Sequence, residues 1–405
     1  MIARARSASP PQPETRTDRL AFPAQDEQNC HETESVATAG AQHARSGRLL
    51  GDEIHIFVGS PVSAVVDTEL LDGASRFIES ADAALHRADR TSELGLLNGH
   101  AGEWVRVSSI LLDAIEAAVT AAQITAGLVD PSLLRALERT GYASRGRRTR
   151  ASLTRALARP VVRRPGAPSA GAEWQRIQID RGRSAVRLPR GVRLDLGGSA
   201  KAMVVDAVAA MLAPFPSVAV DAGGDIRLAG LRPAPQSIAI AHPLVGGDPL
   251  AATINAGAIA TSGLGSGVWE VGCDFAHHLI DPARAAPAWT GVIQATALAP
   301  TMLEATTLAK QAFLLGPHAG LAVLERHGGI ATLDNGRSIT VGEVDGRVRV
   351  QGGRPGCPRP SSEPVQRLRR NGGARQSYRP GTTSSNAASL RSSNLQASTV
   401  AGSVA

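Results

Sequence analysis

The sequence predicts an α+β fold, with mixed or antiparallel sheets and packed helices in a single domain with disordered tails. Regular apolar patterning is confined to the middle of the chain, roughly 300 of the 405 residues, which is enough for one sizeable core. Many short stretches alternate apolar and polar residues and few helical stretches separate them, which favours α+β over a doubly wound parallel sheet. Near the centre of the chain, a strand pattern runs through paired glycines into a helix pattern.

Composition divides the chain into three parts. Residues 1–48 are rich in Pro, Ser, Thr and charged residues, and residues 351–405 are rich in Ser, Gly, Asn and Pro with few large apolar residues. Both segments are predicted to be disordered, because neither can bury enough apolar area to form a core. The domain is expected at 49–350, with an arginine-rich insertion at about 143–172 that we interpret as a solvated loop.

The net charge of +7 comes from the basic tail. Residues 351–405 contain eight arginines and one acid, Glu363, so the tail alone carries the charge of the whole chain. A second basic run, at 145–164, contains eight arginines and no acid. Neither run carries an RNA-binding motif or interleaved aromatic residues, so we expect no nucleic-acid partner.

The cysteines and the N-terminus lead us to expect a cytoplasmic protein. The three cysteines are scattered without metal-ligand spacing or a paired framework, as is typical of a reducing compartment. The first residues lack the apolar run of a signal peptide, and no apolar segment is long enough to cross a bilayer.

Local patterns predict the elements in chain order. A strand at 54–62 with a glycine break precedes a helix at 70–86, and a short strand at 104–107 precedes a helix at 108–125 with Ser108 or Ser109 as its N-cap. The segment Asp130-Pro131 is equally consistent with a helix cap and with a binding site. Further strand-like stretches lie between 174 and 194 and at 217–220, 226–228, 238–242 and 252–254.

The central corner joins a strand to a helix through Gly197 and Gly198. The alternating stretch that ends at Leu194 loses its period at these glycines, and apolar residues then recur at helical spacing as far as Met211. Such a corner points free backbone N–H groups at the space above it, and this geometry suits a phosphate. Lys201 would add a positive charge, although a glycine pair before a helix is more often only a turn.

Four motifs in order resemble those of the ApbE-like flavin transferases. They are Asp195-Leu196-Gly197-Gly198 with Ala200-Lys201, then Val220-Asp221-Ala222-Gly223-Gly224-Asp225-Ile226, then Ala260-Thr261-Ser262-Gly263, and finally His278-Leu279-Ile280-Asp281-Pro282. The resemblance covers roughly residues 51–345 and implies the fold of that family. It also implies an FAD:protein FMN transferase, an enzyme that takes FAD, releases AMP and attaches FMN to a threonine of an acceptor protein.

The resemblance assigns expected roles to residues of this chain. His278, with His277 beside it, would act near the reacting hydroxyl, a role that suits imidazole because it titrates near neutrality. Asp281 and Lys310 complete the expected catalytic set. The expected flavin-nucleotide contacts are Val58, in a segment that resembles the family's Met-Gly-Thr entry, and Leu128, Val129, Asp130, Asp195, Lys201, Gly223, Gly224, Asp225, Thr261, Ser262, Gly263 and Ile280.

The sequence departs from the family at the expected Mg²⁺ site. Relatives hold the ion with an Asp-x-x-x-Thr pair on one helix face, and here these positions are Thr306 and Lys310, with Gly198 as the third expected position. A carboxylate is lost and a cation is gained. Relatives also carry an aromatic residue where this chain has Ala88.

Three functions are therefore open. The first is transfer of FMN from FAD to a protein threonine. The second is hydrolysis of FAD to FMN and AMP, with water as the acceptor. The third is flavin binding without catalysis, which the departures at Ala88 and Thr306 would suggest. Release of AMP separates the first two functions from the third, and covalent flavin on a protein separates the first from the second.

Overall fold

The computed structural model describes residues 41–59, 68–86, 89–142, 149–244, 250–265, 267–342 and 350–352. The helices in these ranges are α1 (Thr68–Leu85), α2 (Glu93–Gly99), α3 (Ser109–Ile124), α4 (Leu134–Arg139), α5 (Leu153–Leu157), α6 (Ala200–Met211) and α7 (Met302–Leu324). The strands are β1 (Ala41–Leu49), β2 (Asp52–Gly59), β3 (Trp104–Arg106), β4 (Arg150–Ala151), β5 (Gln178–Asp180), β6 (Ala185–Arg187), β7 (Ser217–Ala222), β8 (Asp225–Ala229), β9 (Gln236–Ile240), β10 (Leu250–Ile254), β11 (Gly257–Gly263), β12 (Val268–Val271), β13 (Asp274–Ala276), β14 (Ile280–Asp281), β15 (Ala286–Pro287), β16 (Val292–Ala299), β17 (Gly329–Leu333), β18 (Ser338–Val341) and β19 (Val350–Gly352).

Eight antiparallel strands form the central sheet, in the order β1-β2-β7-β8-β11-β16-β17-β18. Successive side chains of a strand point to opposite faces, so each buried strand contributes to two apolar layers. In β7, Val218 and Val220 belong to one core cluster, whereas Ala219 between them belongs to another. The sheet is therefore covered on both faces.

Helices cover one face of the sheet. The long helix α7 packs against β11, β16 and β17, and α6 packs against β7 and β8 and contacts α1, α3 and α7. Phe313 of α7 is fully buried in the resulting core. The opposite face carries Ile226, Ile259 and Leu298, which pack against Ile238 and Ile254 of the small β9–β10–β19 sheet.

The α+β prediction with antiparallel sheets is confirmed by this architecture. Of the two residues predicted as the N-cap of α3, Ser108 is the cap, and its side chain accepts a hydrogen bond from the Leu111 N–H. β1 begins at Ala41, inside the segment predicted to be disordered, and β19 extends to Gly352, while the domain bounds of 49–350 stay a prediction. Residues 1–40 and 353–405 lie outside the described residues, so their predicted disorder stays a prediction.

The arginine-rich stretch is not simply a solvated loop over its described part, residues 149–172. Ala156 of α5 is fully buried, and Arg163 forms an ion pair of 2.7 Å with Asp334. The backbone N–H of Arg164 donates to the Trp289 carbonyl at 2.9 Å. Burial and backbone pairing make this stretch part of the domain surface, a feature that charge composition alone could not indicate.

Among the described residues, no helix is both long and apolar enough to cross a membrane.

We expect β1 to contribute measurably to stability. It pairs with β2 along its length, Leu49 is fully buried, and the N–H of Leu50 that follows donates to Asp82 at 2.6 Å. Removal of residues 1–48 should expose the β2 edge and lower the melting temperature by at least about 5 °C, since a few kcal/mol shift it by that much in a domain of this size. Calorimetry on this chain is the measurement.

A chain that lacks only residues 1–40 is the matched control. It should melt within about 2 °C of the full-length protein, because the composition of the removed part predicts disorder. If both shortened chains melt alike, β1 does not stabilise the sheet.

Candidate functional site

A cavity of about 1330 Å³ is lined by both glycine turns, by α7 and by the segment around His278. This volume exceeds the roughly 300–1,000 Å³ of most small-molecule sites. The cavity therefore has room for a ligand of dinucleotide size.

The central corner is held in place by a buried side chain. The amide of Asn98 in α2 makes two hydrogen bonds with the backbone of Leu194, donating to its carbonyl at 3.0 Å and accepting from its N–H at 2.7 Å. The N–H of Asp195 donates to the Pro131 carbonyl at 2.9 Å. These bonds fix the path of Gly197 and Gly198, which line the cavity just before α6 begins.

The second glycine turn is the β7–β8 hairpin at Gly223 and Gly224. Both residues have positive φ, of 68° and 91°, as a two-residue turn between twisted strands requires. The Gly224 N–H donates to the Asp221 carboxylate at 2.8 Å. The turn is thus an ordinary hairpin turn and also part of the cavity wall.

Lys201 lies in a network of acceptors on the cavity wall. Its ammonium is 3.2 Å from Asp52 and 3.4 Å from Asp225, and it donates to the Ala222 carbonyl at 2.9 Å. Burial opposes the charge of Lys201, but the Asp225 and Asp52 carboxylates outweigh this effect and raise its pKa. Asp225 in turn accepts the Thr261 N–H at 2.8 Å. Lys201 thereby ties α6 to β2 and to both strands of the hairpin.

Lys310 reaches the same cavity from α7. Its ammonium donates to the Gly198 carbonyl, 112 residues away in sequence. Burial lowers the pKa of Lys310 to about 8, against the opposing influence of the Asp225 and Asp195 carboxylates. Thr306, one helical turn earlier, is buried and also lines the cavity.

Two carboxylates of the cavity are shifted towards their neutral form. Burial raises the pKa of Asp221, although the hydrogen bond from Gly224 opposes this shift. Burial also raises the pKa of Asp130 against two hydrogen bonds from Ser132, at 2.7 Å and 2.6 Å. Both shifts reduce the cost of bringing an anion into a cavity that also contains acids.

The two adjacent histidines have different environments. His278 lines the cavity, with its ring centroid 6.4 Å from that of Tyr142. His277 is fully buried against Trp289 and Phe313, and its Nδ1 accepts the Leu279 N–H at 3.2 Å. Burial, with a smaller contribution from His278, lowers the pKa of His277 to about 3. Of the pair, only His278 can reach a ligand in the cavity.

An aromatic pair lines the cavity beside His278. The rings of Tyr142 and Trp269 lie 5.6 Å apart, and the Trp269 indole N–H donates to the Thr140 carbonyl at 2.6 Å. Trp269 was not among the expected site residues, because β12 lies outside the four motifs. The sequence indicated its role only by its position, in a short strand just before the two histidines.

Most of the expected site residues line this one cavity. They are Leu128, Val129, Asp130, Asp195, Gly198, Lys201, Gly223, Gly224, Asp225, Thr261, Ser262, Gly263, His278, Ile280, Thr306 and Lys310. Asp281 and Val58 are the exceptions. Asp281 is a buried residue whose carboxylate accepts the N–H groups of Ala167 and Ala283, both at 3.1 Å, and pairs with Arg284. We therefore assign it to holding the turn after β14 instead of to catalysis.

Val58, an expected nucleotide contact, does not line the cavity. It is fully buried in the core and pairs with Val218 in the sheet. The glycine entry that does line the cavity lies eight residues earlier, at Leu50-Gly51-Asp52. Each segment has a glycine at one end of β2, so the motif alone could not show which end of this strand faces the cavity. Ala88 lies outside the described residues.

The residues at the expected metal position do not fit Mg²⁺. This ion requires near-octahedral oxygen ligands, usually with one or two carboxylates. Here the Gly198 carbonyl accepts the Lys310 ammonium, and Thr306 offers a hydroxyl in place of a carboxylate. Across the described ranges, no group of three or more His, Cys, Asp or Glu side chains could hold a metal. Gly198, Thr306 and Lys310 are therefore corrected from metal ligands to cavity residues.

Comparison with known proteins identifies relatives of this chain. Residues 51–333 match the ApbE family. A curated protein of Treponema pallidum (strain Nichols), named FAD:protein FMN transferase, is 32% identical over 178 residues, which cover 40% of this chain and 49% of that protein. The matched segment thus spans about half the length of the curated relative.

Solved structures show the same fold. An ApbE protein from Thermotoga maritima aligns with a TM-score of 0.60 and 23% identity, covering 74% of this chain and 96% of that one. The flavin transferase ApbE from Vibrio cholerae aligns with a TM-score of 0.56 and 23% identity over the same shares of the two chains. At this identity the likeness establishes the fold, and with it the arrangement of sheet and helices around the cavity.

We expect replacement of Lys201 by methionine to destabilise the protein. The Asp225 side chain is only 12% exposed and would lose its ion-pair partner, a change that costs roughly 3 kcal/mol in a buried pair. Combining Lys201→Met with Asp225→Asn should recover part of this loss, because the Asp52 carboxylate that then loses its partner is half exposed and no unpaired charge remains buried. Urea unfolding of the two single variants and the double variant gives the coupling energy.

The control for this cycle is Arg176→Met, which removes an exposed pair with Glu173. It should change the unfolding free energy little, since solvent screens that pair. If the Lys201 and Asp225 substitutions prove additive, the two side chains are not coupled.

The buried His277 should make the protein sensitive to acid. Its folded-state pKa of about 3 lies below the ordinary value of 6.5, so the unfolded chain binds more protons between these values. The stability that neutral His277 supports is present above pH 6.5 and is lost as the pH falls towards 3, with a slope of up to about 1.4 kcal/mol per pH unit.

His277→Asn tests this assignment, because asparagine keeps an acceptor for the Leu279 N–H and cannot gain a charge. The difference in unfolding free energy between wild type and variant should shrink as the pH falls below 6.5. The exposed His318, replaced in the same way, is the control and should leave the pH profile unchanged. An unaltered profile in His277→Asn would contradict the assignment.

Proposed function

This chain belongs to the ApbE family, and on that premise we propose that it is a transferase that moves FMN from FAD to a hydroxyl group of an acceptor protein and releases AMP. We propose threonine as the acceptor side chain, as the family motifs imply. The curated relative carries the name of this activity. The activity, the substrate and the acceptor are proposals for this chain.

The observation that carries the proposal is the position of the two lysines. Lys201 and Lys310 are the only lysines in the sequence, among 43 basic residues, and both line the cavity that contains the two glycine turns. A pyrophosphate carries negative charge on two adjacent phosphates. Compact ammonium groups beside backbone turns that tolerate close approach suit such a group.

The proposed reaction is a displacement at the phosphorus of the FMN half. The acceptor oxygen forms a bond to this phosphorus, and the bond from the phosphorus to the bridging oxygen breaks. AMP leaves with that electron pair, and the hydroxyl proton passes to a base. Catalysis of such a step consists mainly of positioning and of neutralising the charge on the phosphates.

His278 is proposed to act at the hydroxyl. It faces the cavity beside Tyr142, whereas His277 is buried and kept neutral. The aromatic faces of Tyr142 and Trp269, with the apolar Ile280, provide a surface suited to the flavin ring.

We retain the cytoplasm as the proposed compartment, on the cysteine pattern alone.

The decisive experiment uses the full-length protein, FAD and a lysate of the host. Covalent flavin fluorescence on a denatured acceptor band, together with AMP release, supports protein flavinylation. AMP release without any fluorescent band indicates hydrolysis of FAD. Bound FAD with no AMP indicates a binding protein. Either of the last two results would overturn the transfer proposal.

We expect His278→Asn to lower the rate of AMP release by about 10²–10⁴-fold, the usual contribution of a positioned general acid or base. FAD affinity should stay within about threefold, because the lysines and glycine turns are unchanged. Single-turnover AMP release and flavin fluorescence titration measure the two quantities. His318→Asn serves as the control, and a loss of affinity without a loss of rate would assign His278 to binding only.

A further inference from the structure

We propose that the ammonium group of Lys310, seated on the Gly198 carbonyl, is the built-in cation of the cavity, so that the protein binds the FAD pyrophosphate without a divalent metal. This inference rests on the proposed function for the identity of the ligand. It goes beyond that function because it names the charge that neutralises the phosphates.

The first support is the fit between Gly198 and Lys310. The Lys310 ammonium donates to the Gly198 carbonyl, and a side-chain carbon at Gly198 would lie only 2.7 Å from Nζ. In its present position the ammonium therefore lies where a side chain at residue 198 would place its first carbon atom. Lys310 lies in α7, and Gly198 lies in the corner just before α6. The packing of α6 against α7 brings the two residues together.

The second support is the charge around Lys310. The Asp225 and Asp195 carboxylates favour the ammonium, and Lys201 and burial oppose it. An ammonium has three N–H donors, and within the described part of the chain Lys310 donates one of them, to the Gly198 carbonyl. The remaining donors can serve a phosphate oxygen.

The third support is the poor donor set for a competing metal ion. The Gly198 carbonyl already accepts from the ammonium, and Thr306 supplies no negative charge. A divalent ion next to Nζ would also be repelled, and this repulsion is strong where water is excluded. The turn of α7 that contains Thr306 and Lys310 thus carries a cation, whereas a metal site there would need a carboxylate.

Binding of Mg²⁺ to the flavin-free protein is the first test. Calorimetric titration should show no Mg²⁺ binding to wild type at millimolar ion concentration. The double variant Thr306→Asp with Lys310→Thr should bind Mg²⁺, because it restores a carboxylate and a hydroxyl on one helix face and frees the Gly198 carbonyl. Tight binding by wild type would overturn the inference.

FAD binding in the presence of EDTA is the second test. Wild type should bind FAD equally well in EDTA and in Mg²⁺. Lys310→Gln keeps a donor for the Gly198 carbonyl but loses the charge, and should weaken FAD binding in EDTA by about tenfold or more. Lys310→Met provides a second uncharged variant, and thermal melting shows that each variant is folded.

Arg326→Met is the matched control, because it removes a cation from an exposed position just beyond α7. It should leave FAD affinity unchanged. If wild type binds FAD only when Mg²⁺ is present, the inference fails while the proposed function stands. If wild type binds FAD under neither condition, the proposed function fails first.

Discussion

The buried pair of hydrogen bonds between the Asn98 amide and the Leu194 backbone is the constraint on which the cavity depends. It joins segments 96 residues apart and satisfies a donor and an acceptor that would be costly to leave unpaired away from water. The start of the corner, at Leu194, is thereby attached to α2. Gly198 can then meet Lys310, and Lys201 can reach the hairpin strands.

The cavity wall holds two ammonium groups in different ways. Lys201 is shared between Asp52 and Asp225, so its charge is largely compensated and has a structural role as well as a binding one. Lys310 is hydrogen-bonded to a neutral carbonyl and is less compensated, and burial lowers its pKa. The two lysines are thus not equivalent, although both lie in motifs of the same type. Lys201 joins three elements of the cavity wall, whereas no carboxylate forms an ion pair with Lys310 among the described residues.

The corrections between sequence and structure share a physical cause. A glycine next to a strand predicts an entry to a site, but Gly51 and Gly59 stand at opposite ends of β2 and only the first faces the cavity. An Asp-Pro after a histidine predicts a catalytic carboxylate, but the Asp281 carboxylate accepts the N–H of Ala283 in the turn that follows and the N–H of the distant Ala167. In both cases the local pattern is satisfied by two geometries, and packing of distant segments selects one of them.

The sequence by itself determined the α+β class, the helix that begins at Ser108 or Ser109, the two strands on either side of Gly223 and the family to which the chain belongs. Each of these depends on local periodicity, turn chemistry or an ordered set of motifs. The tertiary structure alone decided which of two adjacent histidines faces the cavity, that the arginine-rich stretch packs on the domain, and that the Lys310 ammonium is seated on Gly198. These outcomes depend on contacts between residues up to 171 positions apart, and sequence patterns contain no information on which distant surfaces meet.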